Sequence, residues 1–290
     1  DLPRIKIDPR DISIEEKVEL LKEMSKRAKL EGISSTSAVY SESEVKVCYN
    51  NIDGLDCEYE LIRSGFAVSA VASENGIYQA GRESKFGVKG YEIFDENNAL
   101  ELATSAASEA LQLIHAKPAK GGNMPVILDQ ELAGVFVHEA VGHASEADLV
   151  LEGSSILDNM IGKQIASPLI TIVDDPTLHE YGYFPFDDEG AQSQRTTIIK
   201  DGVLNSYLHS RETSARLGGD PGHSRCQGYS MPIVRMSNTY LDNGNSTFEE
   251  MLEEICDGMY LIGSRGGQVN TGEGIFQFNA EKGYLIKNGE

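Results

Sequence analysis

Between residues 36 and 94 the chain passes through four β-favouring stretches, SEVKVCYN, CEYELIRSG, FAVSAVASENG and IYQAGRESKFG, punctuated by the turn pairs Asp53-Gly54 and Asn75-Gly76. Turns that short join strands running back on one another, so this stretch predicts several antiparallel strands. Helices flank it. Ser13 and Glu16 occupy capping-box positions ahead of a segment in which Val18, Leu20, Leu21 and Met24 recur at helical spacing, which predicts an amphipathic surface helix. Residues 96–117 are rich in Ala and Leu and predict a second helix, and the KPAKGGN that follows has the character of a linker. The expected organisation is an N-terminal α+β domain over residues 1–118 and a β-rich domain over 119–290.

The second half opens with the apolar strand MPVILD and a helix bearing VFVHEAVGHASEAD at residues 135–148. Beyond it lie a strand, PLITIVDD, the loop YGYFPFDDEGAQ, and a hairpin turning at Asp201-Gly202. A short helix near 210–217, a Gly/Pro-rich segment, the strand IVRMSNTYL, a helix over 247–256 capped by Ser246 and Glu249, and strands over 258–287 complete the reading. No internal repeat is visible. The expected class is α+β, mostly antiparallel sheet with a few helices, in two domains.

Bulk properties exclude several functions. A formal charge of −21 speaks against nucleic-acid binding, because phosphate contacts need a basic face. No apolar run approaches the ~20 residues that span a bilayer, and no signal-peptide pattern opens the chain, so a cytoplasmic location and no membrane partner are expected. The four cysteines, Cys48, Cys57, Cys226 and Cys256, show no CxxC spacing and read as reduced thiols. A start on Asp and an end on the strand-and-turn signature GYLIKNGE read as a fragment lacking both ends.

The chemistry concentrates at His138, Glu139 and His143. On a regular α-helix, residues five apart differ by about 140° around the axis, against about 40° for residues four apart. Two imidazoles spaced this way cannot reach one metal from such a helix. A π-bulge widens the turn by one residue and restores a common face, and Gly142 relaxes the backbone just before the second histidine. If both histidines are ligands, a π-bulge or a helix end is required between 138 and 143. Glu139 then stands where zinc hydrolases hold a carboxylate that takes the proton of a metal-activated water. The competing reading makes both histidines core residues bonded to backbone carbonyls.

HEAVGHASEAD resembles the HExxxH signature of the TldD/PmbA metalloprotease family, and within it the TldD-like subunit, since PmbA-like (TldE) partners lack the motif. FPFDDEGAQSQRTTIIKDGVLNSYL, VRMSNTYL and TGEGIFQFNAEKGYLIKNGE are similar to family segments in the same order, and the strand-rich first half is similar to the family's N-terminal domain. The resemblance implies His138 and His143 as metal ligands, Glu139 as catalytic base, one divalent ion (Zn, or Fe), and a third ligand, a cysteine in a GxCGK segment that this chain lacks. It also implies a peptide substrate and a PmbA/TldE-like partner in a heterodimer, or self-association. Where the family has paired arginines, this chain has Arg225 followed by Cys226.

Around that centre, Glu146 and Asp148 are candidates to orient an imidazole, although acids at a helix end are commonly solvated or tied to backbone donors. Asp188 and Glu189, in the acidic run 187–189, and Arg225 are candidates to shape the cleft; a solvated turn is the plain alternative. Arg235 would contact substrate or, more commonly for an arginine among so many acids, pair with a carboxylate. Cys226 and Cys256 have ligand chemistry, yet each also reads as an incidental small residue. His179, His209 and His223 lack partner spacing and read as surface or structural. The leading expectation is a metal-dependent peptidase acting on short or unfolded peptides. The alternatives are a non-catalytic peptide-binding or assembly subunit of the same fold, or a hydrolase of non-peptide amides.

Overall fold

The computed structural model describes residues 2–290 apart from residue 53, so the expected Asp53-Gly54 turn lies partly outside the described residues. The chain divides into two compact units: residues up to Pro118 with His179–Tyr181, and Ala119–Leu178 with Gly182–Glu290. The fold is mixed α and β with predominantly antiparallel sheets. Among the described residues no helix is long and apolar enough to cross a membrane.

In the first unit, helix α1 (Ile14–Arg27) starts at the Ser13–Glu16 capping box, with both reciprocal bonds made. Strands β1 (Ile33–Asn50), β2 (Asp56–Glu74) and β3 (Ile77–Gly87) form an antiparallel sheet in that order. Two of the expected short strands are one: β2 continues through Gly65 because that residue pairs with Ser41 on one side and Phe86 on the other. A central strand laddered on both edges has no reason to end at a glycine. The short helix α2 (Ile93–Glu96) precedes α3 (Ala99–Ile114). The alanines of α3, Ala103, Ala106, Ala107 and Ala110, pack with Met24, Phe66, Val68 and Ala70 into one buried core. Phe94 stacks on Phe66 with ring centroids 5.0 Å apart.

The second unit holds β4 (Val126–Leu128), α4 (Gln130–Val137) and, after the turns described below, α5 (Ala147–Leu151). Strand β5 (Ile172–Asp174) is followed by β6 (Thr196–Lys200), β7 (Val203–Leu204), α6 (Arg211–Leu217), β8 (Ser224–Arg225) and β9 (Ile233–Val234). Strand β10 (Thr239–Leu241), α7 (Phe248–Ile255) and the long pair β11 (Gly258–Asn270) and β12 (Ile275–Ile286) complete it. The strands form a sheet β10-β5-β6-β7, a sheet β12-β11-β4 in which β4 runs parallel to β11, and a β8-β9 ribbon. Val137, Ala147, Ile172, Ile198, Leu204, Val234 and Met236 are buried in its core.

Two details differ from the sequence expectation. IVRMSNTYL is not one strand: it breaks between Val234 and Thr239, where backbone and side chains turn to bind Asp174 and His223. The cap of α7 is Thr247 with Glu250, not Ser246 with Glu249. Both frames satisfy the capping pattern locally, and the one adopted starts the helix at Phe248, whose ring packs 4.9 Å from that of Tyr260.

Candidate functional site

Helix α4 is launched by Asp129, whose side chain accepts from the Leu132 N–H, and it carries Val137 into the core. At His138 the helix widens into a π turn, His138–Gly142, and then tightens into a 3-10 turn, His143–Ser145, before α5. This is the irregularity that a shared ligand role for the two histidines would require at a five-residue spacing. It brings the imidazoles of His138 and His143 edge to face, with centroids 4.6 Å apart and planes at 83°. The turn is braced from behind by Met236: a β-carbon on Gly142 would collide with its sulfur.

Glu139 is buried, 7% exposed, within that turn. His143 places Nδ1 3.1 Å from Oε1 of Glu146, a carboxylate only 1% exposed. Oε2 of Glu146 accepts from Arg235 at 2.9 Å. Glu146 thus lies between the His143 ring and the Arg235 guanidinium. A hydrogen bond from Nδ1–H to the carboxylate fixes the tautomer that leaves Nε2 with its lone pair. Burial, and then the neighbouring His143, hold the His138 imidazole below its ordinary pKa, which keeps it in the neutral form that ligands use.

The other candidates fall elsewhere. Asp148 spends its oxygens on the N–H groups of Leu149 and Val234 and does not meet an imidazole. In the acidic run, Asp187 accepts from the Ser224, Ala191 and Glu189 N–H groups, Asp188 from Cys226 N–H at 2.6 Å, and Glu189 from Arg211 N–H and the Ser224 hydroxyl. These carboxylates tie the loop to β8. Arg225 is exposed at the end of β8. Burial, followed by Asp188, raises the Cys226 thiol above its usual range and so disfavours a thiolate ligand there. Cys256 caps α7 with its thiol on the Glu253 carbonyl.

Asp174 was not singled out by any motif, yet it is fully buried at the end of β5. It accepts from the Ser237 N–H at 2.9 Å and from the hydroxyls of Ser237 and Thr239, and Nε2 of His223 lies 3.2 Å away in an electrostatic contact outside hydrogen-bond geometry. Burial opposes its charge, but His223 and the two hydroxyls outweigh it and hold the carboxyl below the usual range. His209 and His223 are deeply buried, so neither is a surface residue.

Burial, reinforced by His223, depresses His209 to a pKa of about 4. Between that value and the ordinary ~6.5 the unfolded chain binds the extra proton, so stability falls as pH drops through this window and levels off below it, by up to about 3 kcal/mol. Thermal melts at pH 7 and pH 5 should show the loss, and His209→Gln should shrink the difference between them. An unchanged pH dependence in that variant would remove His209 as its source.

As a metal centre, the donor set fits in part. Two adjacent imidazoles, one of them within hydrogen-bond reach of a buried carboxylate, match two positions of a tetrahedral or similar site. Among the described residues, no group of three His, Cys, Asp or Glu side chains forms a full ligand set.

The family model described as the PmbA/TldA metallopeptidase C-terminal domain matches residues 121–290, and the corresponding central-domain model matches 7–114. A protein of Archaeoglobus fulgidus named metalloprotease is 47% identical over 288 residues, covering 99% of this chain and 67% of its own length. A Saccharolobus solfataricus protein named zinc metalloprotease TldD homolog is 33% identical over 231 residues, 78% of this chain and 51% of its own. Among solved structures, a Thermotoga maritima protein described as a candidate modulator of DNA gyrase superposes with a TM-score of 0.86 at 26% identity, over all of this chain and 66% of that one. TldE from Thermococcus kodakarensis shares the fold, with a TM-score of 0.77 at 20% identity over all of this chain and 66% of its own. The chain therefore spans about two thirds or less of the length of these relatives.

Proposed function

The chain belongs to the PmbA/TldD metallopeptidase family, and on that footing we propose that it is the catalytic, TldD-like member, hydrolysing peptide bonds in short or unfolded peptides. The observation that carries this reading is the π turn that sets His138 and His143 edge to face, next in sequence to the buried carboxylate of Glu139. His138 and His143 would hold one divalent ion, zinc or iron, with a further ligand from outside these 290 residues; the zinc named for the Saccharolobus relative favours the first. When bound, the ion would polarise the scissile carbonyl and acidify the attacking water.

The remaining work falls to the chain. Glu139 takes the proton of the attacking water on its carboxylate and returns it to the departing amine, leaving acid and amine products. Glu146 holds His143 in one tautomer and one orientation, and Arg235 balances its charge. Strand β12 is the outer edge of the sheet that lies against the π turn, and an extended peptide can pair along such an edge through its backbone with little side-chain selection. Selection by access then suits a heterodimer with a TldE-like subunit, or self-association, in the cytoplasm; the TldE fold match supports the former.

Elemental analysis of the full-length protein beside His138→Ala tests the proposal. One Zn or Fe per chain, absent from the variant, is the expected result. The lack of a full ligand set among the described residues keeps a second reading in play, a peptide-binding subunit without chemistry. Peptide binding with no metal in the full-length protein would establish that reading and end the first.

A further inference from the structure

We infer that Gly267, in a bulge of β11, is a positioning residue for the Glu139 carboxylate, an inference that rests on the peptidase reading above. Along the β11–β12 pair, Ser264 faces Ala280, but Gly267 faces Phe278, so β11 carries one extra residue across this step. Such bulges bend a strand and re-aim it, and they gather beside active sites. Within the bulge, Gly266 has φ +86° and its N–H donates to the Ser264 hydroxyl at 3.0 Å. The backbone at Gly267 comes directly against the catalytic-base candidate. A β-carbon there would lie 2.7 Å from Cγ and 2.8 Å from Oε1 of Glu139, and 3.0 Å from the Gln277 carbonyl oxygen. Only a residue without a side chain permits that approach.

What presses the strand pair onto the helix is aromatic packing one turn earlier. Phe136 meets Phe276 and Phe278 with ring centroids 5.5 and 5.6 Å apart, both edge to face. Phe136 stands three residues before Glu139, and the strand pair that meets its ring also meets the Glu139 side chain. Phe278 is also the residue paired with Gly267. One end of the contact is therefore clamped by rings, and the other closes on the carboxylate, leaving Glu139 little freedom to swing. A base that must meet a water within hydrogen-bond reach gains from such confinement, and its partner is backbone, which cannot move aside as a flexible side chain can.

The test uses the full-length protein, with kcat and KM for an unstructured peptide, metal content and melting temperature measured together. Gly267→Ala should lower kcat about tenfold or more while KM, metal content and melting temperature stay close to those of the parent. Gly266→Ala is the control, since a β-carbon there would meet nothing within 4 Å although the backbone is strained; its kcat should fall less. On a Glu139→Asp background, whose shorter side chain withdraws from the contact, adding Gly267→Ala should cost little more. A kcat for Gly267→Ala within about twofold of the parent, alongside a dead Glu139→Gln, would overturn this inference and leave the peptidase reading standing. Equal losses at 266 and 267, or loss of metal and melting temperature together with kcat, would also overturn it by making the bulge merely structural. Full activity in Glu139→Gln would overturn both.

Discussion

Glu139→Gln in the full-length protein is expected to lower kcat by about 10²- to 10⁴-fold, the range that a positioned general base contributes. The exchange is nearly isosteric, so the close approach of Gly267 is kept, and the two imidazoles, which pack on each other with His143 also held by Glu146, keep their places. Metal content should therefore match the parent. That pairing of outcomes separates a base from a ligand, because removal of a ligand takes the metal away with the activity. Mass spectrometry of an unstructured peptide incubated with each protein, run beside elemental analysis, reads both quantities. Undiminished cleavage by the glutamine variant would eliminate Glu139 as the base, and loss of metal along with cleavage would recast it as a ligand.

How much of this site the sequence discloses depends on separation along the chain. The approach of His138 to His143 is legible locally, since imidazoles five residues apart can share one face of a helix only with an extra residue in the turn, and Gly142 offers the place for it. Glu146 is legible as well, three residues beyond His143. Arg235 is not, because 89 residues separate it from the carboxylate it binds, and an arginine among many acids has no preferred partner in a one-dimensional reading. Asp174 looks like the polar end of a short apolar strand, and nothing local says that Ser237, Thr239 and His223 converge on it. The glycine pair at 266–267 inside a strand signals a bulge, but its approach to Glu139 emerges only when β11 is laid against the helix. The acidic run 187–189 misleads in the opposite direction. Three consecutive carboxylates suggest a charged cleft, whereas each accepts backbone N–H groups from its own loop or from neighbouring segments.

Arg235→Ala should destabilise the protein by about 3 kcal/mol, the low end of the cost of breaking a buried ion pair, because the guanidinium is itself 36% exposed whereas Glu146 is 1% exposed. The cost arises from what remains. The Glu146 carboxylate cannot reach solvent, and among the described residues its other side-chain partner is the ring of His143. For a protein of this size the loss corresponds to a fall of roughly 5–10 °C in melting temperature. Deprived of its guanidinium partner, the Glu146 carboxylate is no longer held in place behind His143, so metal affinity should fall by about 10- to 100-fold, as for other residues that support ligands from behind. Arg235→Lys restores charge without the planar fork and should recover part of both losses. Glu146→Gln removes the buried charge altogether: its stability cost should be smaller than that of Arg235→Ala, while its metal affinity stays low, because an amide holds the His143 N–H more weakly than a carboxylate does. Calorimetry and metal titration against a competing chelator give the two quantities separately. Parental metal affinity in both Arg235→Ala and Glu146→Gln would show that His143 needs no support from this pair and that the Arg235–Glu146 contact serves the fold alone.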